Sequence, residues 1–269
     1  MAFTLTQKGN LQYWTADALA PFAHAFSTRL GGVSEGYLSS LNLGVHRGDK
    51  LDNVLENYRI LGEAVGFRPE DTVFTRQEHT DIIRRVGCTD RGTGLFREQT
   101  DVCDALITNQ PGVALCAFSA DCTPILLCDP EHRAIAAVHA GWRGTALGIA
   151  AKAVEAMQRA YGSRACEIRA AIGPCISRCC FETDRDVPDA MLAALGPDAG
   201  PAIERRGEKF HVDLKELNRI WLARAGVAQI DVSAACTACR PDLYWSHRVQ
   251  GPQRGSLCAV IALPGEILR

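Results

Sequence analysis

Short apolar runs of strand-like composition constrain the fold of this chain most strongly. The runs are five to seven residues long and do not alternate regularly with helices along the sequence. Two of them flank residues 129–133, whose Asp-Pro-Glu-His-Arg sequence predicts a hairpin turn. The pattern favours one α+β domain over residues 1–269 with a mixed β-sheet. The predicted strands cover residues 113–119, 124–128, 134–139, 168–172, 230–234 and 257–263.

Three further segments have the apolar spacing of amphipathic helices. Asn53 and Glu56 can form a capping box at the start of the first helix, and Thr145 can cap the second. Asp213 begins the third, and a glycine follows the end of each segment. The predicted helices cover residues 54–65, 145–161 and 213–225.

Charge and apolar run length exclude several classes of protein. The chain has 29 Lys and Arg against 31 Asp and Glu, so no overall field favours nucleic acid or an anionic membrane. Its apolar runs are far shorter than the ~20 residues of a membrane-spanning helix, and its first ten residues lack the basic and apolar regions of a signal peptide. We therefore expect a cytoplasmic protein without nucleic-acid or membrane partners. The absence of heptad repeats favours a monomer over a coiled-coil dimer.

Three residues of metal-ligand type lie at the edges of strand-like runs. They are His79, Cys122 and His139. Imidazole and thiolate together suit Zn²⁺, although copper also accepts them. Because the three are remote in sequence, the fold must bring them together. Three protein ligands leave one tetrahedral position for water or substrate, which is typical of catalytic zinc.

The segment after His139 has the composition of an anion site. Gly141 and Gly144 allow close approach to the backbone, and Thr145 can begin a helix. The free N–H groups of a helix start, together with Arg143, favour a bound phosphate.

The remaining cysteines leave two interpretations open. Twelve cysteines without an export signal are expected to be reduced thiols, many of them buried. A Cys-x-x-Cys pair with a partner pair could instead hold a structural zinc. The residues concerned are Cys175, Cys179, Cys180, Cys236 and Cys239.

Several longer segments carry a resemblance to a known family. Between about residues 26 and 261 the chain resembles the YfiH/laccase-domain family, whose fold is layered α/β with mixed sheets flanked by helices. The resemblance places the family's single metal site on His79, Cys122 and His139. The matching segments are 28–34, 42–44, 104–108, 120–127, 137–145, 171–176 and 181–182.

The resemblance implies an enzyme that acts on purine nucleosides and phosphate. Family members are described as purine nucleoside phosphorylases, often with adenosine deaminase and methylthioadenosine phosphorylase activity. Phosphorolysis needs an anion pocket, and deamination needs a zinc-activated water and a proton carrier. For each arginine a surface salt bridge is the alternative, and each carboxylate could instead orient a metal ligand. The candidates are Arg29, His46, Arg47 and Arg143 for phosphate, and Asp104, Asp121 and Glu182 for proton transfer or orientation.

Two departures from the family pattern affect the expected site. The family usually has glycine after the first metal histidine, where this chain has Thr80. A Gly-Arg pair is common near the end, whereas here Gly255 is preceded by Arg254 and followed by Ser256. The role of that arginine is therefore left open.

The residues and the family resemblance also allow functions other than nucleoside chemistry. Copper-dependent phenol oxidation was the family's earlier label, but seven histidines are too few for a site with several copper ions. Some relatives are linked to the editing of peptidoglycan precursors by amide hydrolysis. Cys122 and His139 could also act as a nucleophile and base without metal, or the zinc could be purely structural.

Overall fold

The computed structural model describes residues 2–263, in which five of the six predicted apolar runs form inner strands of two six-stranded sheets and the run at residues 230–234 contributes an edge strand. No helix within this range is both long enough and apolar enough to cross a bilayer. The strands are β1 (Phe3–Lys8), β2 (Leu11–Ala16), β3 (Ala23–Ser27), β4 (Thr72–Phe74), β5 (Ile83–Arg85), β6 (Ala105–Thr108), β7 (Val113–Ser119), β8 (Thr123–Asp129), β9 (Ala134–Ala140), β10 (Arg169–Ile172), β11 (Glu182–Thr183), β12 (Ile203–Arg206), β13 (Lys209–Val212), β14 (Gln229–Val232) and β15 (Leu257–Leu263). The helices are α1 (Leu51–Val65), α2 (Trp142–Ala146), α3 (Ile149–Tyr161), α4 (Asp186–Leu195), α5 (Leu214–Arg224) and α6 (His247–Gln250).

Both large sheets are mixed. The first has the order β1-β2-β3-β15-β7-β4 and is antiparallel except where β4 lies parallel to β7. The second has the order β14-β10-β8-β9-β6-β5, and its two edge strands are parallel to their neighbours. A small third sheet has the order β11-β13-β12. The prediction of an α+β fold with mixed sheets is confirmed.

Alternation of side chains along the strands builds the layers. In β8, Leu126 and Cys128 pack between the two large sheets, whereas Ile125 and Leu127 face α3. On the other side of the molecule α1 covers the first sheet, where Tyr58 is fully buried. The order is therefore helix, sheet, sheet, helix. Because strands of the inner sheets are apolar on both faces, they read as continuous hydrophobic runs.

The glycines predicted to end the helices hold, because Gly66 and Gly162 are left-handed C-caps and Gly226 also has a positive φ. The predicted start signal holds for one helix and fails for two. The carboxylate of Asp213 caps α5 by accepting from the backbone N–H of Glu216 at 3.2 Å, as predicted. The first helix instead begins at Leu51 with Lys50 as its N-cap. The prediction that Asn53 caps it was wrong, since that residue lies within the first turn.

The second predicted helix is divided in two. Gly148 adopts a left-handed conformation with φ of 74° and separates α2 from α3. Thr145 lies inside α2, and its hydroxyl accepts a hydrogen bond from the Asn218 amide at 2.9 Å. The prediction that Thr145 caps this helix was therefore wrong, because α2 already begins at Trp142 with Gly141 as its N-cap.

Candidate metal centre and cavity

The β8–β9 hairpin brings Cys122 and His139 to the same end of the second sheet. Its register pairs Thr123 with Ala140 and Pro124 with His139, so Cys122 lies one residue before the paired strand. The turn predicted at residues 129–133 closes the other end, where the Asp129 carboxylate accepts from the backbone N–H of residues 131 and 132. The hairpin register therefore sets the distance between two of the three candidate ligands.

A buried carboxylate positions the third ligand. Asp104 is fully buried and accepts from the backbone N–H groups of Glu78, His79 and Thr80 at 3.2, 3.1 and 2.8 Å. The same carboxylate accepts from Nδ1 of His139 at 2.8 Å, which leaves Nε2 of that ring for another ligand. The Thr80 hydroxyl also donates to it at 2.8 Å. One anion thus fixes both the loop of the first histidine and the ring of the second.

The three candidate ligands converge within metal-binding distance. The ligand atoms of His79, Cys122 and His139 all lie within 4.8 Å of one another, and the two imidazole centroids are 5.0 Å apart. Gly141 permits this approach, because a Cβ there would lie 2.3 Å from Nδ1 of His79. His79 itself has a φ of 59°, a strained conformation for a residue with a side chain. Two nitrogens and one sulfur in this arrangement fit Zn²⁺ or copper.

The surroundings shift the pKa values of the two histidines in opposite directions. Burial by itself lowers the pKa of His139, but the Cys122 thiolate and then the Asp104 carboxylate outweigh it and raise that pKa to about 9. Burial, followed by the nearby His139, lowers the pKa of His79. For Asp104, burial opposes ionisation, but the bonds from His139 and Thr80 lower its pKa. The Asp104 carboxylate therefore stays ionised beside the ring of His139.

Asp121 supports the thiol ligand from the adjacent position. It has a φ of 92°, and its buried carboxylate accepts from the hydroxyls of Thr237 and Ser246 at 2.5 and 3.0 Å. The backbone N–H of Arg248 donates to the same carboxylate at 2.7 Å. These bonds hold the turn that presents Cys122.

A cavity of about 920 Å³ adjoins the candidate metal ligands, a size suited to a small-molecule ligand. Arg47 and Arg254 give part of its wall a positive character, and His46 also lines it. Burial, followed by the charge of Arg47, lowers the pKa of Arg254 to about 10, while Asp121 and Cys122 act in the opposite direction. Arg254 is therefore close enough to Arg47, Asp121 and Cys122 for their charges to affect its pKa.

The loop that carries His46 and Arg47 is fixed to the last strand. Oδ1 of the buried Asn42 accepts from the backbone N–H groups of Gly44 and Ser256, both at 3.0 Å. Nε of Arg47 donates to the Ser256 hydroxyl at 3.1 Å. Ser256, which replaces the expected second residue of the Gly-Arg pair, thus holds one cavity arginine.

The structure brings only some of the predicted site residues to this cavity. Within residues 2–263, the lining includes the three metal-ligand candidates with His46 and Arg47. Arg29 stacks over Trp245 at 3.7 Å and donates to the carbonyls of Pro241 and Ser39. The lining does not include Arg143 or Glu182. Arg143 lies over the Trp142 ring at 4.2 Å, and the Glu182 carboxylate faces His211 at 3.6 Å.

Two features of the cavity were absent from the sequence predictions. Phe118 lines it and packs edge-to-face on Phe74, with centroids 4.8 Å apart. Gln77 holds this wall, since its Oε1 accepts from the Phe118 N–H at 2.7 Å and its Nε2 donates to the Phe118 carbonyl at 2.9 Å. A phenylalanine inside a strand gives no sequence signal for a ligand wall. Gln77 lies two residues before His79, so proximity to a candidate ligand was the available signal.

Comparison with known proteins identifies the family. The family described as multi-copper polyphenol oxidoreductase laccase matches residues 23–264. The chain belongs to this laccase-domain family. The YfiH resemblance that the sequence motifs indicated is thereby confirmed.

Similar proteins extend the likeness over nearly the whole chain. The purine nucleoside phosphorylase YlmD of Geobacillus stearothermophilus is 38% identical over 256 residues, which cover 92% of this chain and 93% of that protein. A purine nucleoside phosphorylase of Deinococcus radiodurans is 40% identical over 241 residues, covering 90% and 89%. The crystal structure of Bacillus licheniformis YfiH superposes with a TM-score of 0.90 at 34% identity, covering 96% and 98%. Curated relatives of this laccase-domain protein are thus named as enzymes of nucleoside phosphorolysis.

Proposed function

We propose that this protein is a zinc-dependent purine nucleoside phosphorylase. The observation that carries the proposal is the placement of His79, Cys122 and His139, with ligand atoms within 4.8 Å of one another, in the wall of a cavity that also contains Arg47 and Arg254. A metal-ligand set and a cationic wall in one cavity match the needs of a neutral nucleoside and a phosphate. The names of the similar proteins support the same reaction.

Different side chains of the cavity have different roles in the proposed phosphorolysis. Arg47 and Arg254 bind and orient phosphate through charge-assisted hydrogen bonds, and His46 donates a further bond. Phe118 packs against the purine ring. Bound at the His-Cys-His set, Zn²⁺ would supply Lewis acidity towards a substrate oxygen. The reaction releases the base as phosphate bonds to the ribose carbon, so accurate positioning of the two reactants is the main task of the protein.

Asp104 and Asp121 act in this proposal as positioning residues. The hydrogen bonds that their carboxylates accept come from protein groups that hold the metal-ligand segments. Neither carboxylate is among the cavity-lining residues within the described range. Their role is to orient His79, Cys122 and His139.

The proposal includes adenosine deamination and methylthioadenosine phosphorolysis at the same centre. The purified, zinc-loaded chain is incubated with adenosine, inosine or methylthioadenosine, with and without phosphate, and the products are separated chromatographically. Free base that forms only with phosphate supports phosphorolysis, and inosine that forms from adenosine without phosphate supports deamination. If none of the three is consumed but a serine-containing peptidoglycan precursor is cleaved, the editing amidase is the better assignment.

Copper-dependent phenol oxidation is the second candidate, favoured by the description of the matching family and by a nitrogen and sulfur ligand set. In the described part of the chain only His46, His79 and His139 are histidines of the cavity wall, which suits one ion better than several. Metal analysis of the purified protein, followed by a phenol oxidation assay of zinc-loaded and copper-loaded samples, separates the two candidates.

We also propose that the enzyme is a cytoplasmic monomer. Light scattering coupled to size exclusion tests the oligomeric state, and cell fractionation tests the location.

A further inference from the structure

Four cysteines from two distant segments meet outside the cavity wall. Cys179 and Cys180 follow β10, whereas Cys236 and Cys239 follow β14. These strands are parallel neighbours, and an isolated bridge between Cys175 and Cys236 continues their pairing. The four sulfur atoms all lie within 4.8 Å of one another. We call this group, Cys179 with Cys180, Cys236 and Cys239, the four-thiol cluster.

The sulfur separations match a metal site better than a disulfide. Sγ of Cys239 lies 3.6 Å from Sγ of Cys179 and 3.4 Å from Sγ of Cys180. A disulfide requires about 2.05 Å. Four sulfurs at ~2.3 Å from a tetrahedral zinc ion are roughly 3.8 Å apart. The cluster therefore has nearly the dimensions of a tetrathiolate site.

The backbone around the cluster is already arranged to support thiolates. The N–H of Ser177 donates to Sγ of Cys236 at 3.3 Å. The buried Lys215 joins the two segments, because its Nζ donates to the Ser177 hydroxyl at 2.9 Å and to the Ala235 carbonyl at 2.6 Å. A donor to sulfur and a clamp between the ligand loops are the outer contacts that orient metal ligands.

We propose that the four-thiol cluster binds one structural Zn²⁺ ion, separate from the His79, Cys122 and His139 centre. Four soft thiolates select zinc over hard cations such as calcium. Four protein ligands fill a tetrahedral coordination sphere, so the ion serves structure and not catalysis.

The zinc ion in the four-thiol cluster would stabilise the turn at Asp121, which positions Cys122 of the other centre. Thr237 lies between two of the cluster cysteines, and its hydroxyl donates to the Asp121 carboxylate at 2.5 Å. The backbone N–H of Ile176 donates to the carbonyl of Asp121 at 2.9 Å. Both cluster segments are thus bonded to the residue before Cys122, so that zinc in the cluster restrains the position of that thiol.

The decisive experiment uses the full-length Cys122→Ala chain, which lacks the thiol of the other centre. The protein is loaded with zinc under reducing conditions, freed of excess metal, and measured by elemental analysis and zinc X-ray absorption. We expect about one retained zinc per chain with four sulfur neighbours at ~2.3 Å. No retained zinc, or zinc with nitrogen neighbours only, overturns the proposal.

Two matched variants and a thiol count complete the test. In the otherwise unaltered chain, Cys239→Ser is expected to retain one zinc fewer than the parent protein, whereas Cys166→Ser, at an exposed cysteine outside the cluster, retains the full amount. If Cys239→Ser fails to fold, the X-ray absorption of Cys122→Ala still decides.

Alkylation in denaturant after zinc removal, without reductant, should modify all twelve cysteines. Two fewer modified thiols would indicate a disulfide and contradict the proposal. Nucleoside turnover is not used in any of these measurements, so they are independent of the proposed function.

Discussion

The His79, Cys122 and His139 centre and the four-thiol cluster are joined through Asp121 but are built from different parts of the fold. The first has three candidate ligands and borders a cavity. Cys122 and His139 come from the end of a strand pair in the second sheet, and His79 comes from a loop that Asp104 holds. The second takes four thiols from the segments that follow two parallel strands. Three ligands beside a cavity leave room for a substrate, whereas four ligands close the coordination sphere. The number of candidate ligands and the neighbouring space therefore predict different roles for two proposed sites of similar chemistry.

The largest expected effect separates these roles. Cys122→Ala should reduce kcat/KM for nucleoside phosphorolysis by roughly a thousandfold or more, because the metal contributes several kcal/mol of transition-state stabilisation. Its melting temperature should fall less than that of Cys239→Ser, since Cys122 is not deeply buried and Asp104 and Asp121 still hold the segments around it. Cys239→Ser should show the reverse, a lower melting temperature with most of the activity retained at low temperature. Steady-state kinetics and calorimetry on both variants test the comparison, which fails if Cys122→Ala remains fully active.

A smaller effect is expected for the carboxylate that orders the first centre. Asp104→Asn should weaken zinc binding there by about 10–100-fold, because an amide cannot accept from both the loop N–H groups and His139. Excess zinc should restore much of the activity. Competition with a chromophoric chelator measures the affinity, and Asp101→Asn, at an exposed carboxylate, serves as the control. Equal zinc affinity in both variants would exclude the positioning role of Asp104.

The sequence predicted much of the core and the three candidate metal ligands that the structure brings within 4.8 Å of one another. Strand positions in β7, β8, β9 and β15 followed from apolar runs, because these strands are buried on both faces. The metal trio followed from residue type, strand edges and family motifs. The polar strands β1, β12 and β13 were not predicted, because their exposed residues give no apolar pattern.

Long-range contacts account for the rest of the difference. Arg29, Arg47 and Arg143 were equivalent as phosphate candidates in the sequence, yet of these three only Arg47 lines the cavity. The Arg29 guanidinium instead stacks on the ring of Trp245, which lies more than 200 residues away along the chain. The pairing of β10 with β14 likewise decides that Cys179 and Cys236 meet. Spacing within a sequence does not contain this information.

Substitution of Arg254 in the cavity wall is expected to have a moderate effect that is confined to phosphate binding. Arg254→Gln should raise the KM for phosphate about tenfold, because a charge-assisted hydrogen bond contributes about 1.5 kcal/mol or more. Arg29→Gln should leave that KM unchanged and lower the melting temperature, since its guanidinium stacks on Trp245 and bonds two carbonyls. Kinetics at varied phosphate concentration distinguish the two. A higher phosphate KM for Arg29→Gln alone would reverse the assignment.

The smallest effect tests the connection between the two centres. Thr237→Val removes one hydroxyl bond to Asp121 but leaves those from Ser246 and Arg248. We expect zinc affinity at the His-Cys-His centre to fall by less than about tenfold, because only part of the ~1.5 kcal/mol or more of one hydrogen bond to a charged group is transmitted to the metal ligand, while zinc in the four-thiol cluster is unchanged. Thr237→Ser should restore the affinity, because its hydroxyl can reach the same carboxylate. If both substitutions leave the first centre unaffected, the cluster stabilises only its own loops and the two sites are independent. If the valine variant alone is impaired, the contacts of Asp121 transmit the order of one metal site to the other.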